Sequence, residues 1–331
     1  MSLAKEFEKA PVGLKVRRLT VTYPTARGNL PALKDVSLTI EPGTITGVIG
    51  ESGSGKTTLM MALMHAIRPP GRIESGEVWA DGVGNVLELS GEALRRVHGP
   101  YFGFVFQASS NSLNPLKKVG TQILDLARSH GRKDGGDLLR RAKDLAERMG
   151  MDGERVLTAY QHELSGGMRQ RVNILMALVL KPRVLILDEP TTALDMLSQQ
   201  SVLQIVKDIQ EEEGLTTLIV THDMGVVAEL AHRIAVLYAG QVVEEGPSAA
   251  VLRHPQHPYT EGLIRAIPRI TGPIEEARPL AGNPPDLASI RQVGCVFWDR
   301  CPVSLPQCGE ISPQPVSAHQ GGMVTCHRWT V

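Results

Sequence analysis

The spacing of apolar and polar positions changes several times along the chain, and each change marks an element. Residues 14–41 alternate apolar with polar over short stretches around a turn-rich insert from Pro24 to Pro31, which predicts short antiparallel strands. Thr46-Gly47-Val48-Ile49 is β-branched and apolar and predicts a buried strand, with a helix from Leu59 onward. Phe102-Gly103-Phe104-Val105-Phe106 predicts another strand. From about Asn114 to Tyr160 the period becomes helical, with Ile123, Leu124 and Leu126 followed by Leu138, Leu139, Ala142, Leu145 and Met149 at three- to four-residue spacing. Val184-Leu185-Ile186-Leu187 has the unbroken apolar character of a strand buried on both faces of a parallel sheet, and Thr217-Leu218-Ile219-Val220 predicts a further strand. Beyond about Ile270 the chain turns rich in proline and glycine and poor in helix formers. The pattern predicts an α/β fold, an antiparallel β subdomain at its start, and a separate helical lobe at about 114–165.

Candidate chemistry sits at the ends of these elements. Gly50-Glu51-Ser52-Gly53-Ser54-Gly55-Lys56-Thr57 joins a predicted strand to a predicted helix. A glycine-rich turn in that place aims backbone N–H groups and the positive end of the helix dipole at a phosphate. Gly50, Gly53 and Gly55 permit close backbone approach, Ser52, Ser54 and Thr58 complete the cradle, Lys56 reaches the outer phosphates and the Thr57 hydroxyl ligates Mg²⁺. The weaker alternative is a glycine turn in an unrelated α/β protein.

Asp188-Glu189 follows the apolar run, and ligands of parallel sheets lie beyond the carboxyl ends of the strands. Asp188 is placed to hold Mg²⁺ and Glu189 to orient an attacking water, although such a pair is by default an ordinary helix N-cap. Ser165-Gly166-Gly167 ahead of a helical run offers a hydroxyl and bare N–H donors, a second phosphate-binding surface. His222, just after the Thr217–Val220 run, can hydrogen-bond a phosphate or polarise a water.

Leu164-Ser165-Gly166-Gly167-Met168 resembles the signature sequence of the ATP-binding cassette (ABC) ATPases, over roughly 14–268. The resemblance implies a P-loop NTPase cassette: a RecA-like core, the antiparallel β subdomain and a helical lobe carrying the signature. It implies ATP and Mg²⁺ as ligands, Tyr23 stacking on adenine, Gln107 as the Q-loop residue reaching Mg²⁺, Asp195 in the D-loop and His222 as the switch histidine. It also implies a head-to-tail pair of cassettes in which Ser165, Gly166 and Gly167 of one close over ATP held by the other. Lys56, Gln107, Glu189 and His222 are then the catalytic set. A lobe hung between Gln107 and Ser165 couples nucleotide state to a membrane partner through a surface near 108–119.

Ser112-Leu113-Asn114-Pro115, His162-Glu163 before the signature, and His257-Pro258-Tyr259-Thr260 resemble the oligopeptide/dipeptide/nickel importer branch. The chain departs from that branch at 108–111, at Gln161 and at 196–198, changes that spare the nucleotide residues. The resemblance implies an ATPase subunit working with a second cassette, a heterodimer by preference, with two permease subunits and a solute-binding protein. Peptides are the first-choice cargo; the alternatives are nickel or another small solute, or a non-transport ABC ATPase.

Composition narrows the picture further. Lys plus Arg and Asp plus Glu balance at 35 each in 331 residues, so nothing marks a nucleic-acid surface. No stretch approaches the ~20 apolar residues of a bilayer span, and Met1 to Ala10 carries charges instead of a signal-type apolar core. The expectation is a soluble protein at the cytoplasmic face of a membrane, attached through permeases. All four cysteines, Cys295, Cys301, Cys308 and Cys326, lie in the Pro/Gly-rich stretch 269–331, spaced C-x5-C-x6-C-x17-C. In a reducing compartment, clustered cysteines point to metal ligation, and four thiolates suit zinc or an iron–sulfur cluster. The pattern resembles the C-terminal cysteine motif of peptide-importer ATPases, which favours [4Fe–4S] over Zn²⁺ or unligated cysteines, with His327 a bystander. The expectation is a small appended extension stapled by metal because it is too poor in apolar residues to fold alone.

Overall fold

The structure is a computed structural model, and it describes residues 10–26, 28–106, 112–191, 194–266, 280–284, 293–318 and 320–329, apart from the side chain of Leu197. The chain runs through β1 (Leu14–Thr25), β2 (Gly28–Ile40), β3 (Ile45–Ile49), α1 (Lys56–Leu63), β4 (Arg72–Ala80), β5 (Gly84–Asn85), α2 (Gly91–Val97) and β6 (Phe102–Val105). It continues through α3 (Val119–Ser129), α4 (Gly135–Arg148), α5 (Gly153–Thr158), α6 (Gly166–Leu178), β7 (Val184–Asp188), α7 (Met196–Glu213) and β8 (Thr216–Val220). Last come α8 (Met224–Leu230), β9 (Arg233–Tyr238), β10 (Gln241–Pro247), α9 (Ser248–Arg253), α10 (Pro258–Arg265), β11 (Val316–Ala318) and β12 (Gly322–Val324). These elements form two compact units. One, called here the helical unit, takes 1–13, 41–44 and 88–219; the P-loop unit takes 14–40, 45–87 and 220–331.

In the helical unit, β6 and β7 pair in parallel and β8 lies on the other side of β7. β7 and β8 are buried at every position, which explains their unbroken apolar sequence. The helical lobe is a cluster of α3, α4 and α5. Ile123, Leu138, Ala142, Leu145, Met149 and Val156 close its core, so the period read from sequence marks the buried face. Helix begins later than the pattern implied, at Val119, because Asn114-Pro115 opens a turn in which Asn114 Oδ1 accepts from Leu116 N–H at 2.9 Å. Arg141 and Arg148 of α4 pair with Glu213 and Glu212 at the end of α7, at 2.9 and 3.0 Å.

In the P-loop unit, β1 and β2 form one long hairpin. Pairing continues out to Tyr23↔Leu30 and Thr25↔Gly28, so the stretch expected to be a turn-rich insert is mostly ladder, and the strands are longer than the alternation suggested. β4 pairs on the other side of β1 and β5 on β4, giving the expected antiparallel subdomain. A second layer places β3 parallel to β9, with β10 antiparallel to β9.

The C-terminal stretch departs from expectation. β12 pairs with β10 through Glu244↔Val324 and Glu245↔Met323, and β11 pairs with β12. Phe297 is buried against Tyr238 and Tyr259, with ring centroids 5.1 and 5.4 Å apart, and Val324 is fully buried. The described tail therefore belongs to the P-loop unit and shares its core. Strand pairing and three interlocking aromatics, arranged edge-on or tilted as their quadrupoles prefer, hold it there.

His257, read from sequence only as a family marker, is a fully buried cap for α10. Its Nδ1 accepts from Tyr259 N–H at 3.1 Å, and the Glu244 carboxylate beside it accepts from His257 N–H at 2.9 Å. Burial pushes the imidazole down from the ordinary 6.5 to about 3, while it raises Glu244. Between these two values the unfolded chain binds a proton at His257 that the folded chain refuses, so stability falls as pH drops through this window. His257→Asn, whose amide oxygen can still accept from Tyr259 N–H, should make the urea unfolding free energy less dependent on pH between 6.5 and about 3. The slope should be reduced by up to one proton, or about 1.4 kcal/mol per pH unit.

Candidate functional site

The glycine-rich turn between β3 and α1 is built from backbone packed on backbone. A Cβ on Gly50 would lie 2.2 Å from the Leu237 carbonyl oxygen, and one on Gly55 would lie 2.6 Å from that of Ala32. Both take left-handed φ values, 154° at Gly50 and 104° at Gly55, and Gly53 joins them at 78°. Gly240 N–H donates to the Ser54 carbonyl at 2.9 Å, so the turn after β9 clamps the loop from one side. Lys56, nearly buried, points back across the loop: its Nζ donates to the carbonyls of Gly50 and Glu51, both at 2.8 Å, and lies 3.4 Å from Ser54 Oγ. Thr57 is exposed and Thr58 half-buried at the start of α1, with Ser52 exposed at the rim. The glycine-rich turn joins the strand and helix expected of it, with a cation at its floor and a helix N-terminus at its end.

The same unit carries Tyr23 and His222. Tyr23 is half-buried on β1, and its ring fills the space that a Cβ at Gly71 would need, 2.6 Å away. His222 is exposed between β8 and the Asp223 cap, whose carboxylate accepts from Gly225 N–H at 2.8 Å and so orders the first turn of α8.

The helical unit carries the other candidates. Asp188 closes β7 and is buried, and Glu189 follows with φ 50°, a left-handed conformation that a glutamate adopts at a cost. The chain turns sharply there, and Pro190 presents its carbonyl to the buried Gln170 side chain of α6 at 2.7 Å. The helix bearing the signature is thus tied to the strand bearing the acids, a link with no sequence signal because a glutamine in mid-helix is unremarkable. Ser165 caps α6, its Oγ accepting from Met168 N–H at 3.3 Å, and Ser165 and Gly166 are exposed while Leu164 is buried beneath them. Gly166 has nothing within 4 Å of its Cβ position, whereas Gly167 faces Leu194. Asp195 caps α7, accepting from Ser198 N–H at 3.0 Å and Ser198 Oγ at 2.7 Å. Gln107 lies outside the described residues, as does 108–111 of the expected partner surface; of the rest of that surface, Leu116 is 85% exposed.

The expected metal centre has no support among the described residues. All four cysteines are free thiols, and among the described residues no group of three or more His, Cys, Asp or Glu side chains is arranged to hold a metal ion. Burial pushes Cys295 up to about 11 and also raises Cys301 and Cys326. Their sulfurs accept from the backbone N–H groups of Phe297, Val303 and Arg328, and Cys308 Sγ accepts from Leu305 N–H at 3.4 Å. Spacing indicated a staple because the segment looked too polar to fold, whereas strand pairing and Phe297 supply that cohesion.

Sequence reading named Glu51 and Tyr259 only within motifs and gave no role to them, to Tyr238 or to Arg300. Tyr259 Oη accepts from Glu51 N–H at 2.8 Å, and the Arg300 guanidinium grips the Glu51 carboxylate at 2.6 and 3.0 Å. Partners 249 positions apart leave no pattern in a single sequence.

A phosphate cradle on a strand-to-helix turn and paired acids at the end of a buried parallel strand define a P-loop ATPase. Residues 33–192 match the ABC transporter family, and residues 243–308 match the oligopeptide/dipeptide transporter C-terminal region. The chain is 39% identical over 328 residues to a Brucella melitensis protein named for peptide import and ATP binding, covering 96% of this chain and 97% of the relative. It is 37% identical over 315 residues to the dipeptide transport ATP-binding protein DppD of Caldanaerobacter subterraneus, covering 95% and 96% of the two chains. Among solved structures, a dimeric ATP-binding cassette in a post-hydrolysis state bound to ADP and Pi superposes with a TM-score of 0.64 at 32% identity, covering 71% of this chain and 98% of that one. The chain belongs to the ABC transporter ATP-binding proteins, in their oligopeptide/dipeptide branch.

The glycine cradle makes a contrast that stability measurements can read. Gly50→Ala drives a methyl into the Leu237 carbonyl and should cost about 2–3 kcal/mol in urea denaturation. Gly53→Ala, with open space around it and only its left-handed φ to satisfy, should cost about 1 kcal/mol.

Proposed function

We propose that this chain is the ATP-hydrolysing nucleotide-binding subunit of an importer for oligopeptides or dipeptides. The observation that carries the reading is the joint presence, in one chain, of a built phosphate cradle and a C-terminal region matching that of oligopeptide/dipeptide transporters. Lys56 leaves its carbonyl partners for the outer phosphates of ATP, and the N–H groups of the loop take the remaining oxygens. Thr57, Asp188 and Gln107 are the residues that would hold Mg²⁺, and the ion, when bound, would supply neutralisation of charge on the phosphates. Glu189, fixed by its left-handed backbone, orients the attacking water for in-line displacement, and His222 hydrogen-bonds the γ-phosphate. Tyr23 stacks on the adenine.

Ser165, Gly166 and Gly167 serve a second cassette. The exposure of Ser165 and Gly166 at the N-terminus of α6 supports this, as does the dimeric state of the ADP-bound structural relative. The second cassette is a related but different chain, as the resemblance favours, and the pair works with two permeases and a solute-binding protein. Among the described residues no helix is long and apolar enough to cross a membrane, so the translocation path belongs to those partners. The permease contact lies near residues 108–119, where the resemblance places it.

Glu189→Gln should retain MgATP binding while the assembled transporter loses at least a hundredfold of its ATPase rate, measured as phosphate release with permeases and partner cassette present. ATPase activity at the wild-type level in that variant removes Glu189 from its role. Peptide-independent ATPase activity in a transporter assembled with its binding protein counts against peptide as cargo.

A further inference from the structure

The C-terminal tail reaches the phosphate loop through one side chain. Arg300 stands at the end of the short 3-10 turn Trp298–Arg300, and its guanidinium makes a two-pronged ion pair with Glu51, the second residue of the cradle. Arg300 Nη1 lies 2.6 Å from Glu51 Oε2, and Nη2 lies 3.0 Å from Oε1. The pair is shielded, with the arginine side chain 8% and the glutamate side chain 21% exposed. Arg300 is itself held in place: Nε donates to the Ala281 carbonyl at 2.9 Å, Nη1 lies 3.4 Å from Tyr238 Oη, and the guanidinium carbon sits 5.8 Å from the centre of the Tyr238 ring. The same turn follows directly from Phe297, which packs on Tyr238 and Tyr259, and Tyr259 accepts the Glu51 N–H. Every polar handle of Glu51 is thus engaged: its carboxylate by Arg300, its N–H by Tyr259, and its carbonyl by Lys56 Nζ and Ser54 N–H.

The electrostatics give this arrangement a consequence. A triphosphate brings several negative charges to a loop that already contains a carboxylate. Paired two-to-two with a guanidinium, that carboxylate is neutralised and fixed in direction, whereas left alone in a shielded place it repels the ligand and is free to swing. We propose that Arg300 is a positioning residue for ATP: the tail neutralises and orients Glu51 so that the cradle accepts a triphosphate. The inference rests on the reading of the cradle as an ATP site.

The test is MgATP binding to the full-length chain by titration calorimetry, carried out in the Glu189→Gln background to prevent turnover. Arg300→Ala should weaken MgATP affinity roughly tenfold, because one partner of a shielded charge pair is removed. Arg300→Lys, which keeps the charge but loses the fork, should weaken it by roughly threefold. Adding Glu51→Gln to Arg300→Ala should recover most of the lost affinity, since the unpaired carboxylate goes with it. A merely structural role would not produce that recovery. Wild-type affinity in both Arg300→Ala and Arg300→Lys overturns the proposal, as does a double variant that binds no better than Arg300→Ala alone. If Arg300→Ala does not fold, as judged by circular dichroism, the lysine variant decides alone. Lys56→Ala separates the two readings: a parent chain that binds MgATP and loses it on Lys56→Ala keeps the ATP site standing whatever Arg300 shows. A parent that binds no MgATP removes the site, and the inference with it.

Discussion

The close approach of main chain to main chain at the phosphate loop is the constraint on which the P-loop unit depends. Gly50 lies against the Leu237 carbonyl and Gly55 against that of Ala32, at separations no side chain tolerates. Those contacts fix the loop against β9 on one side and β2 on the other, while Gly240 N–H binds the Ser54 carbonyl between them. A loop held by its own backbone keeps its N–H groups aimed without spending side chains on the task. A loop held so needs little main-chain rearrangement to take the charged ligand proposed for it.

In the helical unit the order of elements does similar work by different means. β7 is buried on both faces and ends in two acids, so the acids emerge where the apolar strand must stop. The left-handed backbone at Glu189 and the Gln170 side chain on the Pro190 carbonyl hold the turn that follows. Because Gln170 belongs to the helix capped by Ser165, the signature patch and the acids are parts of one packed body. A rigid connection of that kind is what allows a change at one end of a helix to be felt at the other.

The tail shows how a segment of modest apolar content can still be structural. A β-ladder to β10, a buried phenylalanine and an ion pair to Glu51 embed it in the core of its unit. Burial raises Cys295, Cys301 and Cys326, and the β-ladder and Phe297 give the tail cohesion of their own. His257 belongs to the same network: it is a buried cap whose neutrality is enforced by desolvation, and it joins the core packed around Phe297 to the helix that carries Tyr259.

The sequence by itself determined the elements whose chemistry is local. The unbroken apolar run of β7, the helical period behind Ile123, Leu138 and Leu145, and the glycine turn ending in Lys56-Thr57 could be read because each depends on neighbours within a few residues. The length of the β1–β2 hairpin and the start of α3 were misjudged because pairing across strands and the Asn114 turn override local propensity. Only the tertiary structure decided the role of the tail, the capping by His257, and the attachment of Glu51 to Tyr259 and Arg300. Those interactions join residues separated by up to 249 positions, and one chain carries no record of which distant side chains will meet once the strands have paired.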